Sequence, residues 1–169
     1  MKKKDILITL VLVVVITAAA GLWLSPSLLT QEAPDAELQS IDGRKIRLTE
    51  LQGKPVLITF WATTCPGCLE EQPHLVDLYN RLHGQGLEII GIAMAYDPPN
   101  QVLALQKKRQ LPYTIALDLD GSAARAFDDV RLTPTSFLIS PEGRIVYKKI
   151  GVLDMVKLEK TIQQMLTKG

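Results

Sequence analysis

The sequence predicts an α/β domain in which a mixed central sheet is flanked by helices on both faces. Apolar runs and helical periodicities follow one another in the order β-α-β-α-β-α-β-β-α, which is typical of such layered folds. Hydrophobic residues make up 47% of the 169 residues and charged residues 22%, enough for one domain with a sizeable core. A short turn joins the last two strand patterns, so those two strands are expected to pair antiparallel.

The first half of the domain contains two strand patterns and a helix pattern after a hairpin signal. Residues 38–48 alternate between apolar and polar side chains around Asp42-Gly43, which predicts an N-terminal β-hairpin extension. The apolar run 56–61 predicts a buried strand, and a helical pattern follows it. Pro73 lies within that pattern and is expected to kink the helix. Residues 87–95 then predict a second buried strand.

The second half alternates short helices and strands before a terminal helix. A helix is expected from residues 97–100 to about Gln110, followed by a strand over 113–117 and a short helix over 122–128. The antiparallel strands are expected over 135–139 and 144–150. The last helix is amphipathic, and its apolar positions are Met155, Val156, Leu158, Ile162, Met165 and Leu166.

The N-terminus carries a different signal. Three lysines precede the apolar run 6–24, whose 19 residues would span about 28 Å as a helix, close to the hydrocarbon thickness of a bilayer. Basic residues before the span keep that end in the cytoplasm, so the domain is expected on the extracytoplasmic side of the cytoplasmic membrane. Residues 1–24 are therefore predicted to be a single-pass anchor, with a cleaved signal peptide as the alternative. Residues 25–36 are expected to form a tether and residues 37–169 the domain.

The overall charge excludes one class of partner. The chain has 19 basic and 18 acidic residues, a formal net charge of +1. No basic stripe follows the first few residues, so a nucleic-acid partner is not expected.

The two cysteines, Cys65 and Cys68, stand two residues apart where a strand pattern meets a helix pattern. At this spacing they can form a disulfide across one helical turn. The N–H groups and the dipole of a helix N-terminus stabilise a thiolate there. A structural disulfide would close so short a loop that it would add less than the ~3 kcal/mol expected for a 15-residue loop. The pair therefore predicts a redox centre.

Two longer motifs carry a resemblance to a known family. The segment 65–73 reads C-x-x-C-x-x-E-x-P, and the segment 132–139 reads Leu-Thr-Pro-Thr-Ser-Phe-Leu-Ile before a Pro-Glu-Gly turn. Over roughly residues 36–168 the chain resembles the TlpA/ResA-type membrane-anchored thioredoxin-like oxidoreductases. The resemblance implies a thioredoxin-like fold and protein thiol–disulfide oxidoreductase activity.

The resemblance also implies roles for single residues. Cys65 would be the attacking thiol and Cys68 the resolving thiol. Pro134 would be a cis-proline that faces the disulfide and directs the Thr133 backbone toward a substrate strand; a trans proline that opens an edge strand is the alternative. The substrate-binding residues are expected to be Trp61, Pro66, Gly67, Thr133 and Pro134.

One departure from thioredoxins concerns proton transfer. Thioredoxins carry a buried Asp six residues before the first Cys, where this chain has Thr59. Another group must accept the proton of the resolving thiol, because the thiolate is the reactive form. Glu71 lies three residues after Cys68 on the same helix face and matches the acid of the family motif. Glu71 is therefore predicted to be catalytic, and the adjacent Glu70 is predicted to be a surface charge.

The predicted reaction is reduction of disulfides in exported proteins by the Cys65–Cys68 dithiol, with a membrane electron donor restoring the dithiol. Family analogy adds apocytochrome c, and thus cytochrome c biogenesis, as a candidate substrate. No cofactor and no metal site are expected, since His74 and His83 are the only histidines and His74 lies well beyond Cys68. The alternatives are a disulfide donor or isomerase of the same fold and a membrane-tethered metal- or thiol-binding module.

Overall fold

The computed structural model describes residues 12–13 and 31–167. The predicted anchor, apart from Leu12 and Val13, and tether residues 25–30 lie outside this part. Among the described residues, no helix has both the length and the apolar composition needed to cross a bilayer.

An eight-stranded mixed sheet forms the centre of the unit that begins at Gln31. Its spatial order is β1-β8-β7-β4-β5-β6-β2-β3. Strands β4, β5 and β6 are parallel to one another, and all other neighbours pair antiparallel, so the predicted mixed sheet is confirmed. The strands are β1 (Gln31–Glu32), β2 (Glu37–Ser40), β3 (Lys45–Arg47), β4 (Val56–Trp61), β5 (Glu88–Ala93), β6 (Thr114–Leu117), β7 (Thr135–Ile139) and β8 (Arg144–Ile150).

Helices cover both faces of this sheet. They are α1 (Pro66–Leu82), α2 (Pro99–Arg109), α3 (Ser122–Ala126) and α4 (Met155–Leu166), with 3₁₀ turns at Leu48–Leu51 and His83–Gln85. Buried side chains form two clusters, because alternate residues of a strand point to opposite faces. Leu57 of β4 packs in the cluster that includes apolar residues of α1 and α4, whereas Ile58 packs in the cluster that includes α3.

The β2–β3 hairpin extends the sheet at one edge, as the Asp42-Gly43 signal predicted. Glu37 pairs with Arg47 and Gln39 with Lys45, and β2 also pairs with β6. Gly43 has a φ of 86°, a left-handed conformation that glycine adopts without steric cost.

The predicted tether is too long by six residues. Gln31 and Glu32 form β1, which pairs antiparallel with Ile145 and Arg144 of β8, and Ala36 is buried in the core. Strand β1 covers the edge of β8, whose N–H and C=O groups need partners. Residues 31–36 therefore belong to the folded unit, which begins before residue 37.

Helix α1 continues across Pro73, where the sequence predicted a kink. Proline has no N–H, so the carbonyl of Leu69, four residues earlier, lacks its usual helical donor. The guanidinium of Arg109 in α2 donates to that carbonyl at 2.7 Å. A side chain from a neighbouring helix thus replaces the missing backbone hydrogen bond.

Candidate active site

The Cys65–Cys68 pair lies where β4 ends and α1 begins. Cys65 is the N-cap of α1, and its Sγ accepts a hydrogen bond from the backbone N–H of Cys68 at 3.2 Å. The two residues form a disulfide. Cys65 is 9% exposed and Cys68 3%, so a partner reaches the sulfur of Cys65 more readily. This N–H at the helix N-terminus points at the sulfur of Cys65, and such a contact favours the thiolate after reduction.

The loop before β7 lies against this motif. The Thr133–Pro134 peptide bond is cis, as predicted from the sequence. A Cβ atom added to Gly67 would lie 3.7 Å from Cδ of Pro134 and 3.2 Å from Cγ2 of Val152. The structure therefore brings Gly67 and Pro134 together, and it adds Val152, which the sequence did not single out.

Exposed apolar side chains stand beside the same loop. Tyr96, Leu132 and Val152 all expose much of their surface to solvent. The hydroxyl of Tyr96 lies 3.5 Å from Oγ1 of Thr133. Contiguous exposed apolar residues are typical of surfaces that bind other proteins. Sequence analysis missed Tyr96 and Leu132 because each is a single apolar residue in a loop, without a periodic pattern.

Glu71 is buried, with only 2% of its surface exposed. Its Oε1 accepts a hydrogen bond from the backbone N–H of Leu153 at 2.6 Å. Burial raises the pKa of the Glu71 carboxyl, and the Leu153 hydrogen bond and the charge of His74 oppose this shift. Because Glu71 follows Cys68 by three residues, the two side chains share one face of α1.

The negative charge of Glu71 raises the pKa of two nearby tyrosines. Burial raises the pKa of Tyr113, and the nearby Glu71 carboxylate raises it further. The pKa of Tyr147 is raised by burial, then by Asp154 and by Glu71. The carboxylate of Glu71 therefore lies in a buried region shared with tyrosines of β8 and of the segment before β6, which is suited to holding a proton.

At the position where thioredoxins have a buried Asp, this protein has a neutral side chain that is hydrogen-bonded to a second neutral side chain. Thr59 is buried in β4, and its Oγ1 accepts a hydrogen bond from the hydroxyl of Ser136 in β7 at 3.1 Å. Neither hydroxyl titrates near neutral pH. Glu71 is thus the buried carboxylate that α1 itself supplies.

Trp61 does not lie where a substrate-binding residue is expected. Its side chain is 3% exposed and packs in the core, so a partner protein has almost none of its surface to contact. An apolar run buried on both faces has no alternation, and the sequence therefore could not show which way Trp61 points. Pro66, by contrast, is exposed next to Cys65.

The close approach of Gly91 to Trp61 gives a prediction for stability. A Cβ at Gly91 would lie 3.0 Å from Cδ1 of Ile115 and 3.1 Å from Nε1 of Trp61. Gly91→Ala is therefore expected to overpack the core and to lower the free energy of unfolding by about 1–3 kcal/mol, measured by urea denaturation of the disulfide form. Gly84→Ala is the control, because a Cβ there meets nothing within 4 Å. Equal stability of the two variants would contradict this packing argument.

In the described part of the chain, no group of three or more His, Cys, Asp or Glu side chains is arranged to hold a metal ion. His74 is exposed on α1.

Comparison with known proteins gives the family. The sequence model of the AhpC/TSA family matches residues 29–148, well over half of the chain. The chain belongs to the AhpC/TSA family. The match includes the disulfide motif and the Thr133–Pro134 loop, and it begins before β1.

Several curated relatives of this AhpC/TSA family member are named thiol-disulfide oxidoreductase ResA. Thiol-disulfide oxidoreductase ResA from a strain of Bacillus cereus is 31% identical over 97% of this chain and 98% of the relative. The protein of the same name from Bacillus subtilis (strain 168) is 33% identical over 72% of this chain and 67% of the relative. The TlpA/ResA-type resemblance is confirmed. The AhpC/TSA family member described here is a thiol–disulfide oxidoreductase with a Cys65–Cys68 disulfide.

Solved structures agree on the fold of this AhpC/TSA family member. A thiol:disulfide interchange protein of the thioredoxin family from Chlorobium tepidum TLS superposes with a TM-score of 0.73, over 81% of this chain and 97% of that protein. The two sequences are 24% identical, so this likeness concerns the fold alone. The predicted thioredoxin-like fold is confirmed.

Proposed function

We propose that this protein reduces disulfides of exported proteins. The Cys65 thiolate attacks one substrate sulfur, an S–S bond forms between Cys65 and the substrate, and the other substrate sulfur leaves as a thiolate. The Cys68 thiolate then attacks the sulfur of Cys65 and releases the second substrate thiolate. Two electrons pass to the substrate, and the Cys65–Cys68 disulfide remains.

The observation that carries this proposal is the buried Glu71 carboxylate one helical turn after Cys68. Cys68 is 3% exposed, so bulk water has little access to its thiol proton. Glu71, on the same helix face, is the acid that accepts this proton and so produces the Cys68 thiolate. The Leu153 N–H holds the carboxylate in place, and the raised pKa of Glu71 makes it a stronger base than a solvated carboxylate.

The partner binds over the edge of the motif that lies beside the Cys65 sulfur. Pro66 and Gly67 form the part of this edge within the motif, and Thr133 and Pro134 form the opposite side. The substrate segment adopts an extended conformation and pairs with the Thr133 backbone. Tyr96 and Val152 supply apolar contact area on either side, which supports binding of a polypeptide rather than of a small polar molecule.

The location of the reaction follows from the N-terminal sequence. Residues 1–24 hold the protein in the cytoplasmic membrane with the catalytic domain on the extracytoplasmic side, which in a Gram-negative cell is the periplasm. Soluble cytosolic reductants do not operate there, so a donor in the membrane returns two electrons to the Cys65–Cys68 disulfide. An apocytochrome c, whose haem-binding thiols must be reduced, fits this reaction by analogy with the family.

The midpoint potential of the Cys65–Cys68 couple tests the direction of electron flow. The full-length protein in detergent is equilibrated with glutathione or dithiothreitol mixtures, and the dithiol fraction is counted by alkylation and mass spectrometry. We expect a potential near −270 mV, which is about that of thioredoxin. A potential near about −120 mV would overturn the proposal in favour of a disulfide donor, because strong exported oxidants have such potentials.

A further inference from the structure

A carboxylate outside the predicted site holds the turn that leads into the disulfide motif. Asp97 follows β5 and is 4% exposed. Its Oδ2 accepts a hydrogen bond from the backbone N–H of Thr63, and its Oδ1 accepts one from the Thr63 hydroxyl, each at 2.6 Å. Thr63 stands two residues before Cys65, between β4 and α1. One side chain therefore fixes both the backbone and the side chain of this turn.

The Asp97 loop is itself anchored to the end of β4. The backbone N–H of Asp97 donates to the carbonyl of Met94 at 2.9 Å, and the N–H of Met94 donates to the carbonyl of Trp61 at 3.0 Å. The Asp97 loop is thus attached to the ends of two strands: β4, which precedes the motif, and β5, which precedes the loop itself. Four hydrogen bonds, two of them to Thr63, therefore fix the place of the Asp97 carboxylate relative to the Cys65 turn.

The charge of Asp97 is not neutralised by a cation. Among residues 12–13 and 31–167, no Lys, Arg or His forms an ion pair with it, and both of its side-chain hydrogen bonds come from the neutral groups of Thr63. Charges interact more strongly where protein excludes water. The negative charge of Asp97 is held against Thr63, which stands two residues before Cys65. A negative charge beside this turn disfavours a second negative charge on the Cys65 sulfur.

We propose that Asp97 is a positioning residue of the redox motif, which fixes the Thr63 turn and shifts the exchange equilibrium toward the Cys65–Cys68 disulfide. A reduced form with a well-stabilised thiolate makes a strong oxidant. Asp97 acts in the opposite sense, because it destabilises the Cys65 thiolate and so makes the dithiol a better electron donor. This inference rests on the thiol–disulfide chemistry of the motif and holds for either direction of electron flow in the cell.

The charge-neutral variant Asp97→Asn tests the proposal. Full-length protein is equilibrated with glutathione at pH 7: the motif S–S bond breaks, two glutathione thiols give up two electrons and two protons to it, and one glutathione disulfide forms. The Asn side chain still hydrogen-bonds Thr63 but carries no charge. We expect the equilibrium constant to shift about tenfold toward the dithiol, which corresponds to about 30 mV. The comparison with wild type is independent of the absolute potential that tests the proposed function.

Asp118→Asn is the matched control. Asp118 is also a buried aspartate, at the end of β6, and its carboxylate accepts hydrogen bonds from the N–H groups of Ala123 and Ala124, each at 2.9 Å. Strand β6 lies two strands from β4 in the sheet. This control is expected to lose thermal stability while its exchange constant stays within about twofold of wild type. A purely structural role for Asp97 predicts the same behaviour for both variants and would overturn the proposal.

A second variant gives an effect of opposite sign. Thr63→Val removes the hydroxyl donor but leaves the Asp97 charge, which is then less compensated. We expect the constant to move at least about twofold toward the disulfide. If circular dichroism shows that Asp97→Asn does not fold, the test rests on Thr63→Val alone. An unchanged exchange constant in Thr63→Val, or one shifted toward the dithiol, overturns the proposal.

Discussion

Cys65→Ser is expected to lower the rate of protein disulfide reduction by at least about a thousandfold, because removal of a nucleophile leaves no alternative route for the covalent step. Cys68→Ser is expected to fail differently. Its Cys65 thiolate still attacks the substrate, but the buried partner thiol that would resolve the mixed disulfide is absent. The substrate therefore stays attached to Cys65.

Insulin reduction and trapping of a disulfide-bonded substrate measure the two effects. Turnover is followed with dithiothreitol as electron donor, and adducts are detected by non-reducing gel electrophoresis and mass spectrometry. The two Ser variants are matched controls for each other, since each removes one sulfur from the same motif. Adducts of Cys65→Ser through Cys68, in amounts equal to those of Cys68→Ser, would show that the order of attack is wrong, despite the greater exposure of Cys65.

The position of the motif was predictable because local patterns determine it. An apolar run, two cysteines and a helical periodicity follow one another directly, and the structure places Cys65 at the N-cap between β4 and α1. The hairpin was equally accessible, because Asp42-Gly43 is a local turn signal. The family motif with Pro134 added the cis peptide, which no periodicity indicates.

Features that depend on distant segments could not be predicted. Strand β1 has two residues, too few for any period, and exists because the β8 edge needs a partner. Leu153 contributes only its backbone N–H to Glu71, 82 residues away in sequence. Asp97 accepts hydrogen bonds from Thr63, which lies 34 residues earlier in the sequence. A single Asp in a turn gives no sign of such a contact, because Asp is common in ordinary turns. These contacts are set by the packing of loops at one end of the sheet.

Glu71→Gln is expected to slow the resolution of the mixed disulfide by about a hundredfold, the usual contribution of a positioned general base. Gln keeps the size of the side chain and an oxygen that accepts from Leu153 N–H, but it cannot take up the Cys68 proton. The resolution rate is measured by stopped-flow with a fluorescent mixed disulfide on Cys65. Glu70→Gln is the control, because Glu70 is the adjacent carboxylate and is exposed. It should resolve the adduct at the wild-type rate.

The difference in stability between Glu71→Gln and wild type is also expected to depend on pH, in a direction set by the pKa of Glu71. Burial raises the pKa of Glu71 above its ordinary value of 4.5, so the folded protein favours the neutral carboxyl. The contribution of Glu71 to stability is fully present below pH 4.5 and is lost as the pH rises through the raised pKa. Glu71→Gln has no such loss, so in the disulfide form its stability relative to wild type should increase with pH and then level off. Urea denaturation at a series of pH values measures this difference.

The two measurements on Glu71 separate a catalytic carboxylate from a merely buried one. The groups that act on its charge are the Leu153 N–H and His74, and both of them remain in Glu71→Gln. If Glu71→Gln gains stability with pH but resolves the adduct at the wild-type rate, the Glu71 carboxylate only destabilises the fold by being buried. Cys68 would then need another base. A slowed resolution together with that gain requires the same buried carboxylate to accept the proton of Cys68.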